Sequence, residues 1–177
     1  YEKKITMPPD KGYFLVVSRL VPYKRIDIVV KAATKLGLPL VVTGRGVEMP
    51  YLKSIAGKNV KFLDFVSEDL LRGYLKKAEA LIYPSEEDFG IGMVEAQLHE
   101  TPVIAFNKGG AKEIVIQGKT GEFFNNQTAS SLISVLKKFK KDKYNGKDCY
   151  SNGLRFSNSK FRTSLKKYIE NAIINNS

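Results

Sequence analysis

The sequence predicts an α/β fold, a Rossmann-like doubly wound parallel sheet, on three observations. Five short runs rich in β-branched and aromatic residues recur before residue 107. They lack the polar alternation of a strand with one wet face, so they read as strands buried on both sides. Helix-period segments separate them, giving the βαβα alternation that builds a parallel sheet with helices on both faces. No apolar run approaches the roughly 18 residues of a membrane span, so the 43% apolar content is available for one core.

The strands are placed at 13–18 (YFLVVS), 39–44 (PLVVTG), 60–65 (VKFLDF), 78–84 (AEALIYP) and 102–106 (PVIAF), with a short sixth at GEFF. The helices between them are KRIDIVVKAATKLG, VEMPYLKSIAG, SEDLLRGYLKKA and GIGMVEAQLHE, with Ser67 as an N-cap and Gly37 as a stop. Two amphipathic helices close the chain. In SSLISVLKKFKKD, Leu132, Val135, Leu136 and Phe139 form one stripe, with Lys137, Lys138, Lys140 and Lys141 outside it. FRTSLKKYIENAII repeats the design with Phe161, Leu165, Tyr168, Ile169 and Ala172. Residues 1–12 read as a polar, Pro-interrupted lead-in and 13–177 as one domain. A start at Tyr1 is expected to be an excision point, with further chain before it.

The lone Cys149 leaves no internal disulfide, and with His99 as the single histidine neither a zinc cluster nor a Cys-His nucleophile pair is expected. A reducing, cytoplasmic setting fits. The net charge of +11 is uneven: from Ser130 onward there are 11 basic and 3 acidic residues, against 18 and 15 before it. The tail can serve an anionic surface or be a solvated helix face.

Every candidate site falls where a strand hands over to a helix, at the crevice end of such a sheet. In SRLVPYKRID, Arg19 and Lys24 flank a Pro-containing turn, so two cations and the first N–H groups of the next helix point toward one anion, a diphosphate in size; two solvated cations are the alternative. VVTGRGVEMPYL imitates a dinucleotide fingerprint, but its third glycine position is Met49 and it follows the second strand. It is read as a tight turn in which Gly46 permits close backbone approach and Arg45 reaches the crevice. In YPSEEDFGIGMVEAQLHETPVIA, Glu87 lies in the loop after strand four, Gly90 and Gly92 let backbone approach a ligand, and Glu95 stands about one turn into the helix that Ile91 opens. Carboxylates accept hydrogen bonds from polyols, so cations, N–H groups and flanking carboxylates together describe a nucleotide diphosphate sugar. An acidic loop and a helix-surface Glu remain the alternative.

From about Tyr13 to Phe124, these segments in this order resemble the donor-binding half of family 4 glycosyltransferases, enzymes of the GT-B fold. The Glu87-to-Glu95 element with FG between its acids and the Arg19/Lys24 pair carry the likeness, with VVTGRGVEMPYLK and the run VKFLDF through KGGAKEIV. The resemblance implies that Arg19 and Lys24 hold the donor diphosphate, that Glu87 contacts sugar hydroxyls and that Glu95 holds the ribose. It also implies that the backbone of Phe89, Gly90, Ile91 and Gly92 approaches sugar and phosphates, that Val94 packs near the nucleoside, and that Arg45 and Val66 reach the base. EDFGI, VEAQ, TPVIAF and KGGAKE are most similar to mannosyltransferases that use GDP-mannose in surface polysaccharide or glycolipid assembly. Retention of configuration is implied, together with a saccharide or lipid-linked acceptor bound by an N-terminal domain absent from these residues, so this chain alone is expected to transfer poorly.

Two positions depart from the family: Glu100 stands where Gly usually precedes TPV, and Gly92 where the GDP-mannose subgroup often has Pro. No Asp-x-Asp element is present, so no metal or other cofactor is expected, and the cations and helix N–H groups would act on the departing diphosphate. His99 reads as structural or surface rather than catalytic. For a lipid-linked acceptor, Lys137, Lys138, Lys140, Lys141, Lys166 and Lys167 would meet anionic headgroups at the inner face of the cell membrane. The rival readings are a UDP-sugar enzyme of the same family, a sugar-nucleotide epimerase on the same fold, and a non-catalytic nucleotide-sugar or nucleic-acid binder. Nucleic acid is not expected as a partner, for no recognisable module accompanies the charge.

Overall fold

The computed structural model describes residues 12–174; the lead-in, apart from Gly12, lies outside them. Strands β1 (Phe14–Val17), β2 (Leu40–Thr43), β3 (Val60–Leu63), β4 (Leu81–Tyr83), β5 (Val103–Phe106) and β6 (Gly121–Phe124) form one sheet in the order β3-β2-β1-β4-β5-β6. Every neighbouring pair is parallel, so the expected Rossmann-like sheet and its sixth strand are present. From β1 the chain builds outward to β2 and β3, then returns to lay β4 on the other side of β1. The loops after β1 and β4 therefore diverge and leave a crevice between them, the usual ligand position in such sheets.

The helices are α1 (Ile26–Leu36), α2 (Met49–Ser54), α3 (Glu68–Lys77), α4 (Ile91–Leu98), α5 (Ala111–Ile114), α6 (Ala129–Leu136), α7 (Gly146–Gly153) and α8 (Asn158–Ile174). Successive strand side chains point to opposite faces, so Phe14 and Val16 join α1 and α6 in one cluster while Leu15 joins α3 and α4 in the other. Both faces are dry, which is why the strands read as unbroken apolar runs. Helix α1 ends as expected at Gly37, whose φ of 65° is left-handed and whose N–H donates to the carbonyls of Ala33 and Thr34. Ser67 occupies the N-cap position of α3 but makes no side-chain cap hydrogen bond; Glu68 and Asp69 in the first turn favour the helix through its dipole instead.

The first closing helix is shorter than its stripe. Helix α6 stops at Leu136, because Phe139 leaves the helix to stand edge-on to Phe14, 5.8 Å between ring centres, and to stack on Tyr144 at 5.0 Å. Lys140 is extended, and Lys141 donates to the carbonyl of Ala78 at 2.5 Å. Lys141 is therefore removed from the expected basic face. Helix α7, with no apolar period to announce it, packs on α4 through an amide network: Asn152 Nδ2 donates to Gln97 Oε1 at 2.5 Å and to the Ile114 carbonyl at 2.6 Å, and Gln97 Nε2 donates to the same carbonyl at 3.1 Å. Both side chains are buried, so their polar groups are satisfied where leaving one unpaired would cost about 1–3 kcal/mol.

Helix α8 forms where its period predicts, yet its stripe is not packed against the sheet: Phe161, Leu165, Tyr168 and Ile169 are exposed. Among the described residues no helix is long and apolar enough to cross a membrane.

Glu100 follows α4 with φ of 63°, a left-handed conformation that glycine adopts without strain, in keeping with the glycine expected at this position from the resemblance. An L side chain costs about 1–2 kcal/mol in this region, and glycine returns roughly half of that in unfolded-chain entropy. The substitution Glu100→Gly is expected to raise the unfolding free energy by about 0.5–1 kcal/mol, read from urea denaturation as a higher midpoint at unchanged slope.

Candidate functional site

The wall of the crevice after β1 is built around a turn. Pro22–Lys24 forms a single 3-10 turn, and Arg25, left-handed at φ 53°, redirects the chain into α1. Arg25 is fixed at both ends: Nε donates to Asp27 Oδ1 at 3.2 Å, and a guanidinium N–H reaches Gln127 Oε1 at 3.4 Å. Burial pushes the Asp27 carboxyl up, but the hydrogen bonds and charges of Arg25 and Lys31 outweigh it and hold the carboxyl below its ordinary range. Gln127 also donates to the Pro84 carbonyl at 2.9 Å, so it ties the β1 wall to the loop after β4.

This turn sets two cations side by side. Arg19 donates to the Tyr23 hydroxyl at 2.9 Å, and Lys24 Nζ lies 5.1 Å from the centre of the Tyr23 ring. Lys24 also forms an ion pair with Glu87 across the crevice, both side chains largely withdrawn from water at 13% and 22% exposure. Of the three clustered acids, Glu86 faces Lys108 at 3.9 Å, Glu87 takes Lys24, and Asp88 is exposed.

Bare backbone holds the Glu87 loop in place. The N–H of Gly110 donates to the Glu87 carbonyl at 2.8 Å. A Cβ on Gly109 would come within 2.3 Å of that carbonyl oxygen, and one on Gly110 within 2.3 Å of the Phe89 oxygen. On the other wall, a Cβ on Gly44 would meet the Ser18 carbonyl oxygen at 1.8 Å and one on Gly46 the Leu20 oxygen at 2.1 Å. The close approach expected at Gly46 is therefore to the β1 loop. Gly90, at φ 92°, turns the chain into α4, whereas a Cβ on Gly92 would meet only the Tyr83 ring, at 3.5 Å.

Two cavities are lined by candidate site residues. One of about 500 Å³ is lined by Arg19, Arg45, Val66 and Phe65 among others. A second of about 230 Å³ holds Glu95, His99, Glu68 and Arg72, and Leu71 borders both. Tyr83, the last residue of β4, connects the groups. Burial pushes its phenol up to about 12, and Glu87, Glu95 and Tyr23 add to the shift, so four polar side chains share one neighbourhood. The phenol is a hydrogen-bond donor at any working pH.

The structure thus gathers Arg19, Lys24, Glu87 and Glu95 at the crevice and brings Arg45 and Val66 into one cavity with Arg19. Phe89 and Ile91 are exposed at the opening of α4, Phe89 standing edge-on to Phe156 at 5.9 Å. Val94 faces inward, 7% exposed, in the cluster beneath α4. His99 donates from Nδ1 to the Glu95 carbonyl, a contact within its own helix that fits a structural role. Sequence reasoning missed Tyr23, Tyr83, Phe65, Gln127 and the Gly109-Gly110 pair. Tyr23 had a signal in its place between Pro22 and Lys24; the others depend on which loops meet.

The family model described as glycosyl transferases group 1 matches residues 1–156. An alpha-1,3/1,6-mannosyltransferase, ALG2 of Dictyostelium discoideum, is 37% identical over 113 residues, 63% of this chain and 26% of that protein. An uncharacterized glycosyltransferase of Methanocaldococcus jannaschii, MJ1607, is 32% identical over 125 residues, 65% of this chain and 32% of its own. Among solved structures, the lipopolysaccharide outer core galactosyltransferase WaaB in apo form superposes with a TM-score of 0.80 at 19% identity, over 96% of this chain and 53% of that one. Anabaena HepE in complex with UDP and glucose gives 0.75 at 21% identity, over 91% and 48%. The chain spans about a quarter to a third of the length of these curated relatives and about half of these structures.

The two glycine environments predict opposite tolerances. Gly110→Ala forces backbone apart and is expected to cost about 1–3 kcal/mol, whereas Gly92→Ala is expected to stay within about 0.5 kcal/mol of the parent; urea unfolding of both variants checks the contrast.

Proposed function

The chain belongs to the glycosyl transferases group 1 family, and from that premise we propose that it binds a nucleotide diphosphate sugar, with GDP-mannose the preferred donor, for transfer to a saccharide or lipid-linked acceptor with retention of configuration. The observation that carries the reading is the Lys24–Glu87 pair beside Arg19 at the reversal of strand order. A diphosphate entering there meets two cations. Lys24 has three N–H donors and can turn from the carboxylate to phosphate oxygens, which frees Glu87 to accept from sugar hydroxyls.

When the bond between the anomeric carbon and the diphosphate oxygen breaks, negative charge grows on the leaving nucleotide. Arg19, Lys24 and the N–H groups opening α4 would offset that charge. Glu95, one turn into α4, would accept from ribose hydroxyls, and Val66 and Arg45 would border the base. Glu87 would fix the sugar, and the acceptor would be bound by a further domain, so transfer belongs to the whole protein. No metal is required in this reading.

The mannose assignment is supported by the mannosyltransferase among the relatives. A UDP-sugar donor is the second reading, favoured by the HepE complex with UDP and glucose. Peripheral contact with anionic membrane belongs to the proposal too, with α8 as its surface: Lys160, Arg162, Lys166 and Lys167 accompany the exposed Phe161 and Leu165.

Calorimetric titration of the intact protein with GDP-mannose, UDP-glucose and NADH, without added metal, tests the donor. Hydrogen bonds to charged groups contribute about 1.5–3 kcal/mol each, so Arg19→Ala/Lys24→Ala is expected to weaken GDP-mannose binding at least a hundredfold. Preference for UDP-glucose would overturn mannose but keep the site; undiminished binding by the double variant would overturn the site. Cosedimentation with anionic vesicles, lost at high salt, is expected for the membrane contact, and salt-insensitive or absent binding would remove it from the proposal.

A further inference from the structure

Phe65 is an aromatic ring outside both apolar clusters of the described residues. It lies between β3 and α3, 73% exposed, while its neighbour Val66 is 8% exposed. The backbone beneath is held by β2, for Thr43 Oγ1 donates to the Asp64 carbonyl at 3.1 Å and the N–H of Gly44 to the Leu63 carbonyl at 3.3 Å. A fixed backbone therefore presents a flat apolar ring toward water.

The ring borders the cavity of about 500 Å³, within the roughly 300–1,000 Å³ of small-molecule sites. Val17, Val66 and Leu71 give that cavity apolar walls, and Gly44 gives it a stretch without a side chain. Arg19 lines the same cavity and stands beside Tyr23 and Lys24. A nucleotide held by its diphosphate at Arg19 and Lys24 therefore has this cavity as the adjoining room for its nucleoside. The other cavity at the crevice is smaller and bears four ionisable side chains, which suits hydroxyl groups better than an aromatic ring.

We propose that Phe65 is the stacking platform for the donor's base, which lies against the phenyl face at the mouth of the cavity. The proposal rests on the donor-binding reading above and adds a residue with a defined task. Every base has a π face, so stacking adds affinity without choosing between bases. Phe65 thus holds guanine and uracil alike, and base selection falls to hydrogen-bonding groups elsewhere in the cavity.

The test is titration of the intact protein with GDP, UDP and inorganic diphosphate, comparing the parent with Phe65→Ala and Phe65→Trp. Phe65→Ala is expected to weaken GDP and UDP together by about tenfold to a hundredfold and to leave inorganic diphosphate unchanged. Phe65→Trp is expected to stay within about threefold of the parent. These 177 residues hold no tryptophan, so the introduced indole is the one in this domain and also reports occupancy, its emission changing with either nucleotide and not with inorganic diphosphate. Parent-like nucleotide binding by Phe65→Ala would overturn the stacking role and leave the donor reading standing. Equal weakening of inorganic diphosphate would also overturn it, since the ring would then act through the diphosphate site. A parent that binds neither nucleotide would overturn this proposal and the donor reading together.

Discussion

The arrangement depends on one topological constraint: β1 is paired on one side with β2 and on the other with β4. Because the connections leave β1 and β4 in opposite directions, their loops part and leave a crevice at the carboxyl ends of these two strands. The same pairing brings Lys24 within reach of Glu87, 63 residues later in the chain. Helix placement, loop direction and the convergence of charge all follow from the order of strands, which in turn follows from apolar runs that must be buried on both faces.

Within that crevice, the charged groups satisfy one another. Lys24 is neutralised by Glu87, and Arg19 rests on the Tyr23 hydroxyl. Burying a cation without a partner is costly, and the carboxylate offsets part of that cost. In the proposed donor site, a diphosphate would replace one anion by another at the same ammonium group, with Glu87 released toward the sugar hydroxyls. Tyr83, protonated and close to both Glu87 and Glu95, keeps a neutral donor among groups that otherwise only accept.

Much of this was legible in the sequence because the signals were local. Strand runs such as YFLVVS and the left-handed stop at Gly37 declare themselves without reference to distant residues, and so does the placement of Arg19, Lys24, Glu87 and Glu95 at strand ends. The failures share a different cause. Phe139 fits the apolar stripe of α6, yet contact with Phe14 and Tyr144 draws it out of the helix. Helix α7 has no period to find, since what buries it is an amide network with Gln97 and the Ile114 carbonyl. The roles of Gly109 and Gly110, and the exposure of Phe65, depend on which loop passes over which, and no single segment records that.

The paired glycines carry a consequence for recombination. Gly44 and Gly46 lie against Ser18 and Leu20, as Gly109 and Gly110 lie against Glu87 and Phe89, in each case backbone on backbone. Each pair of loops is therefore a single packing unit. A chimera that imports a related protein's acidic loop while keeping the recipient's 107–110 segment, or the converse, would join two surfaces shaped for different partners. Exchange of specificity between relatives should succeed by transplanting both loops of a wall at once, and fail when one loop is moved alone.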